Sequence, residues 1–236
     1  MTSATHRVVV FDLDDTLYLE RDYVRSGFRA VADEVAKTLP EGGDKIFEIL
    51  WEGFGRGVRG NSFDRLVSAL PDVASAVSVD RMITIYRSHV PKIAPISGAE
   101  RLLRELGSRN VRCGLITDGP ACRQHAKLDA LQLGVFFDRV IVNDARDRFK
   151  PDERSFMQME RDLGAEGRRC WYVADNPAKD FIGPKQLGWR TIRLKMPGQL
   201  WEPVEATDPK PDFTVADLNA VLHFFPVAAD KNMACL

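Results

Sequence analysis

Residues Val8–Gly27 read VVVFDLDDTLYLERDYVRSG, in which four apolar residues, Val8, Val9, Val10 and Phe11, run directly into Asp12, Asp14 and Asp15. An uninterrupted apolar run suits a strand covered on both faces, as in a parallel sheet, because a half-exposed strand would alternate. Carboxylates crowded at the end of such a strand repel one another unless a cation lies between them. Taken alone, the cluster could still be a turn or a helix cap, since Asp favours both.

The rest of the chain decides between these readings. Further β-branched runs at Val111–Ile116, Val140–Val142, Trp171–Ala174 and Thr191–Leu194 predict buried strands. Helical patterns at Gly98–Leu106, Ala121–Leu131, Asp152–Leu163 and Ala178–Gln186 alternate with them. The rhythm predicts an α/β fold, a Rossmann-like parallel sheet core with helices on both faces. It breaks between about Leu19 and Pro95, where Tyr23–Leu39, Lys45–Phe54 and Asp80–His89 read as helices, with a further helix and loops at Asn61–Val79. This stretch predicts an inserted helical cap, residues 19–94, on a core of residues 1–18 and 95–236. Toward the end, Met196–Pro211 reads as a loop, Phe213–Val215 as an edge strand, Asp217–Phe225 as a helix and Ala228–Leu236 as a loose terminus.

Composition removes several function classes. The 236 residues hold 33 Lys+Arg against 34 Asp+Glu, which leaves no electrostatic footprint for nucleic acid or an anionic membrane. Cys113, Cys122, Cys170 and Cys235 show no CxxC spacing, and His6, His89, His125 and His223 do not cluster with them, so the expectation is a reducing, cytoplasmic setting without a zinc site. No apolar run approaches the roughly 18 residues of a membrane helix, and the chain reads as soluble and unprocessed.

Polar stations follow four of the predicted strands: Asp12 and Asp14, then Thr117 and Asp118, then Lys150, then Asp175 and Asp180. In a doubly wound sheet these ends converge, which brings residues a hundred positions apart into one pocket. Oxygen-only ligands of this kind suit Mg²⁺. The order and spacing resemble the haloacid dehalogenase superfamily. Its nucleophile loop DxDx[TV] reads here Asp12-Leu13-Asp14-Asp15-Thr16, its second motif GLITDG with Thr117, its third FKP with Lys150, and its fourth VADNPAKDF with Asp175 and Asp180. The position of the insert resembles that family's helical C1-type cap. One departure is visible, since Ala174 stands where the fourth motif commonly has Gly.

That resemblance implies a Mg²⁺-dependent phosphatase acting on a small phosphorylated metabolite, a sugar phosphate or nucleoside monophosphate. Asp12 would be the nucleophile that forms an aspartyl-phosphate, and Asp14 the acid and base. Thr117 and Lys150 would hold the phosphoryl group. Asp12, Asp175 and the Asp14 backbone carbonyl would bind the metal, with Asp180 orienting Lys150 or a metal-bound water. Dehalogenases of the family need no acid for a halide and typically lack the second aspartate, so Asp14 favours phosphoryl transfer. A phosphomutase of the same fold and an inactive binding or regulatory protein remain as rivals.

Outside the motifs, Asp15 is read as a turn cap or a solvated residue, and Asp118 as a substrate contact or a turn residue. Gly55–Gly60, GRGVRG, matches GxGxxG, but nothing before it reads as a strand, so a dinucleotide site is not expected. Its Arg56 and Arg59, with Tyr18, Arg21 and Tyr23, could contact a polar substrate, or could lie in a solvated connector. His125 and Lys127 are expected by default on a solvated helix face, although Lys127 could face the pocket, and Trp51, Phe54 and Phe63 are expected in the core of the insert.

Overall fold

The computed structural model describes residues 7–39, 42–205 and 208–227. Six strands, β1 (Arg7–Phe11), β2 (Val111–Asp118), β3 (Arg139–Asn143), β4 (Cys170–Ala174), β5 (Arg190–Leu194) and β6 (Phe213–Val215), form one sheet in the order β3-β2-β1-β4-β5-β6. Every neighbouring pair is parallel. The sheet is wound in both directions from β1, which pairs with β2 through Val9 and Cys113 and with β4 through Val10 and Tyr172. Val8 to Phe11 are all buried, which is why this strand carries no alternation.

The chain divides into two compact units, one taking the chain up to Glu20 and from Ala94 onward, the other Arg21–Ile93. Helices α1 (Glu20–Ala36), α2 (Gly43–Gly55), α3 (Ser62–Ala69), α4 (Asp72–Ala76) and α5 (Val79–Ser88) build the second unit, α1 from its second residue on. Tyr23, Val24, Gly27, Phe28, Val31, Ala32 and Val35 form the buried stripe of α1 at helical spacing. Phe28 meets Phe54, Phe63 and Tyr86 at ring distances of 6.5, 6.1 and 5.7 Å, so Phe54 and Phe63 are core residues as expected. Trp51 stacks on Phe47 and Phe54.

In the first unit, α6 (Ala99–Ser108), α7 (Ala121–Leu131), α8 (Arg154–Leu163) and α9 (Ile182–Gln186) connect the strands. Strand alternation sends Tyr172 to one face, where Phe156 of α8 meets it edge-on at 4.9 Å, and Trp171 to the other, against Phe213, Phe224 and Phe225. Gly183 of α9 lies so close to the lysine loop that a Cβ there would stand 2.7 Å from the Pro151 carbonyl, which leaves glycine the fitting residue.

Three expectations shift. Residues 178–181 form a turn and α9 starts only at Ile182, because the Asn176 side chain accepts from Ala178 N at 2.9 Å and folds the segment back. The helix expected at Asp217–Phe225 is a 3₁₀ helix, Leu218–Phe224, with Asp217 capping Ala220 N. Asn61–Val79 carries two short helices, α3 and α4. The expectation for Ala228–Leu236 lies outside the described residues.

Candidate active site

Asp12 follows β1 directly, and its amide continues the strand pairing by donating to Val173 O at 3.0 Å. This fixes its buried carboxylate at the carboxyl end of the sheet, where Oδ1 lies 2.7 Å from Lys150 Nζ. Lys150 Nζ also lies 2.9 Å from Tyr172 Oη and 2.9 Å from Asp180 Oδ1, the latter an ion pair off the hydrogen-bonding direction. Burial of an ammonium is tolerable only with such partners. Burial pulls the Lys150 pKa down, but Asp12 and Asp180 outweigh it and hold the group well above its ordinary value. For Asp12 the balance runs the other way: burial is the largest influence and, against the pull of Lys150, carries its pKa up to about 7.

Asp175 begins the turn after β4. Among the described residues its buried Oδ2 has no hydrogen-bond partner, and burial, with Asp180 and Asp12 nearby, pushes its pKa well up. One oxygen each from Asp12, Asp175 and Asp180 lie within 4.8 Å of one another. Hard oxygen donors, a surplus of buried negative charge and an orphan carboxylate oxygen fit a divalent cation of the Mg²⁺ type. Asp180 takes part differently from the other two: its Oδ2 accepts from Asn176 N at 3.0 Å, so it also folds the loop that presents Asp175.

Asp14 projects into a polar cluster of its own. Lys127 Nζ stands 2.7 Å from Asp14 Oδ1, the Tyr18 hydroxyl donates to the same oxygen, and Gln124 Nε2 lies 3.3 Å from Oδ2. Burial raises the Asp14 pKa, but the charge and hydrogen bond of Lys127, with the bonds from Tyr18 and Gln124, hold it below its ordinary value. Thr117 lies within β2, one residue before its end, rather than following it, and its buried hydroxyl oxygen has no hydrogen-bond partner among the described residues. Lys150 arrives on a loop that leaves β3 at Asn143 and passes a 3₁₀ turn at Arg146–Arg148, so it does not sit directly past a strand.

The third acid of the opening stretch belongs to the scaffold. Asp15 is buried at φ +53°, and its two carboxylate oxygens accept from Glu20 N and Leu200 N, each at 2.7 Å. Of its two expected roles, capping holds and solvation does not. Asp118 accepts from Asn143 Nδ2 at 2.9 Å, Lys150 N at 3.3 Å and Lys179 Nζ at 2.9 Å, so its carboxylate braces the lysine loop. Lys127 takes the pocket-facing place over the solvated default: it is 6% exposed and turned toward Asp14. His125, two residues earlier, is exposed as expected.

Gln124, Tyr172 and Lys179 thus join the site without having been singled out from the sequence, and Tyr18 and Lys127, which were, bond to Asp14. A signal existed for two of them. Gln124 and Lys127 share the buried face of α7 with Leu128 and Leu131, where a helix packed only for stability would carry apolar residues.

The remaining candidates lie in the second unit. Arg59 donates to Phe54 O at 2.8 Å and covers the Phe54 ring at 3.8 Å, while Arg56 pairs with Glu52 at 3.3 Å on an exposed surface. GRGVRG follows the helix α2, not a strand, and is no phosphate loop. Arg21 packs near Trp51, and Tyr23 against Tyr86 and His89.

A parallel sheet with a buried lysine and carboxylate cluster at its carboxyl edge defines an α/β protein with an acidic site fit for a cation. Residues 6–188 match the family model of haloacid dehalogenase-like hydrolases, and the chain belongs to that family. A glyceraldehyde 3-phosphate phosphatase of Methanocaldococcus jannaschii is 30% identical over 194 residues, covering 79% of this chain and 83% of the relative. An (S)-2-haloacid dehalogenase of a Pseudomonas species is 29% identical over 140 residues, 59% of each chain. A phosphatase structure from Thermococcus onnurineus shares the fold, with a TM-score of 0.61 and 21% identity over 94% of this chain and 98% of that one. Among the described residues no helix is long and apolar enough to cross a membrane.

Proposed function

We propose that the protein is a Mg²⁺-dependent phosphatase that hydrolyses a small phosphorylated metabolite through an aspartyl-phosphate on Asp12. The observation that carries this reading over carbon–halogen cleavage is the Asp14 carboxylate, two residues from the nucleophile and held by Lys127, Tyr18 and Gln124. A departing alkoxide needs a proton and a departing halide does not.

In the first step an Asp12 oxygen attacks phosphorus, the bond to the ester oxygen breaks, and Asp14 gives that oxygen its proton. In the second, Asp14 takes a proton from water, the water oxygen attacks phosphorus, and Asp12 leaves as a free carboxylate. Lys150 offsets the negative charge on Asp12 and the phosphoryl oxygens, and the hydroxyl of Thr117, without a partner among the described residues, donates to one of those oxygens. Asp12, Asp175 and the Asp14 backbone carbonyl would hold Mg²⁺, with Asp180 behind them, and the ion would supply further charge stabilisation at the phosphoryl group.

The test is release of phosphate from glyceraldehyde 3-phosphate, sugar phosphates and nucleoside monophosphates, with Mg²⁺ and with chelator, beside halide release from (S)-2-chloropropionate. Phosphate release that requires Mg²⁺, without halide release, is expected. Halide release in chelator without phosphate release overturns the reading, and isomerisation of a sugar 1-phosphate would identify a mutase.

Contact of Arg56 and Arg59 with the non-reacting part of the substrate is a separable proposal. The double change Arg56→Ala/Arg59→Ala should lower kcat/KM for the best metabolite about tenfold more than for p-nitrophenyl phosphate. Equal losses, with a lowered Tm, would assign Arg59 to bracing Phe54 alone.

A further inference from the structure

Burying a lysine costs several kcal/mol, by order of magnitude, unless the pair it forms is well made, and a buried pair is weak evidence for stability. An apolar side chain at position 127 would extend the Leu128 and Leu131 face of α7 without that cost. The sequence instead places there an ammonium 2.7 Å from Asp14 Oδ1, and a tyrosine hydroxyl that is wholly buried donates to the same oxygen. Among the described residues the other oxygen, Oδ2, has one long hydrogen bond, 3.3 Å from Gln124 Nε2, whose shorter bond of 2.6 Å goes to Asp118 O. The two oxygens of one carboxylate are therefore inequivalent.

We infer that Lys127 and Tyr18 are positioning residues that lock the Asp14 carboxylate through Oδ1 and so leave Oδ2 as the oxygen that meets the leaving group and the attacking water. This rests on the phosphatase reading, in which Asp14 serves as acid and base. With two donors on Oδ1, rotation about χ2 is arrested and that oxygen has no room for a proton. Oδ2 then hands its proton to the ester oxygen in the first step and takes one from water in the second. Proton transfer depends steeply on such alignment. The clamp also makes Asp14 sensitive to a change on α7, a helix more than a hundred residues away in the chain.

The experiment uses the full chain with saturating Mg²⁺ and compares single-turnover release of glycerol from glycerol 2-phosphate with release of nitrophenolate from p-nitrophenyl phosphate. Glycerol is a basic leaving group that needs the proton, and nitrophenolate hardly does. Lys127→Met should slow glycerol release about 100-fold and nitrophenolate release less than about 10-fold. Tyr18→Phe should change the same ratio in the same direction by a smaller factor. In Lys127→Ala, added ethylammonium should restore part of the glycerol rate, which a merely structural role would not allow. Equal slowing of both leaving groups in a folded, Mg²⁺-binding Lys127→Met overturns the clamp. If that variant does not fold, an unchanged ratio in Tyr18→Phe overturns it. Asp14→Asn separates the two readings: if it discriminates between leaving groups while the clamp variants do not, only the clamp fails. If Asp14→Asn itself slows both equally, the acid assignment falls and the clamp with it.

Discussion

Asp12→Asn should turn over any phosphate ester at least about 10⁴-fold more slowly than the wild type and still melt within a few degrees of it. The activity loss follows because an amide cannot form the covalent phosphoryl intermediate that divides the hydrolysis into two easier steps. Retained folding is the less obvious half. Removing one member of a buried ion pair usually costs about 3–5 kcal/mol, because the partner charge is stranded. Here Lys150 keeps Asp180 at 2.9 Å and Tyr172 at 2.9 Å. The charge lost is also one that burial already disfavours, with the Asp12 pKa carried up to about 7. Steady-state phosphate release and thermal melting of the same preparation check both halves. Activity near the wild-type rate would remove Asp12 from the nucleophile role, whatever its place in the fold.

Much of this site was legible because parallel strands buried on both faces advertise themselves as short apolar runs, as Val8–Phe11 and Cys170–Ala174 do. Once the strands are placed, Asp12, Thr117 and Asp175 follow from their positions at strand ends. Lys150 is different, because a long loop separates it from β3 and only the FKP motif marks it. For Lys127 the sequence could not decide between pocket and solvent, because a lysine on a helix surface is usually solvated and its burial depends on Asp14, which approaches from a different part of the chain. Asp15 looked like Asp12 and Asp14 in sequence. What separates it is the direction of its carboxylate, which satisfies the amides of Glu20 and Leu200, and no pattern in the neighbouring residues encodes the second of those. The turn at residues 178–181 was lost to helix periodicity because the Asn176 and Asp180 side chains bond to the backbone there in place of the helical ladder.

Crowded carboxylates make a further demand that can be measured without any substrate. In the metal-free protein the folded-state pKa of Asp12 stands at about 7 against an ordinary 3.8, through burial first, and burial raises Glu20 to about 7 and Asp175 well up in the same direction. Between those values the folded chain binds more protons than the unfolded chain, so stability falls as pH rises. The contribution is fully present below the unfolded pKa and lost as pH climbs through about 7. Asp14, held low, acts in the opposite sense, but only as pH falls below the ordinary carboxylate range. Lys150, raised, loses its contribution only above its ordinary 10.5, outside the window. Metal-free protein should therefore be most stable near pH 5 and lose about 10 °C of Tm by pH 8. On the proposed reading Mg²⁺ would supply the missing positive charge, so it should raise Tm far more at pH 8 than at pH 5, and activity in chelator should fall to background. Ca²⁺ should stabilise the fold at pH 8 yet support little turnover, because its larger and looser coordination shell misplaces the nucleophile relative to phosphorus. A metal-free Tm that stays level or climbs between pH 5 and pH 8, or a Mg²⁺ shift of equal size at both, would mean that Asp12 and Asp175 are not kept together against their own repulsion, and the cation would lose its place in the site.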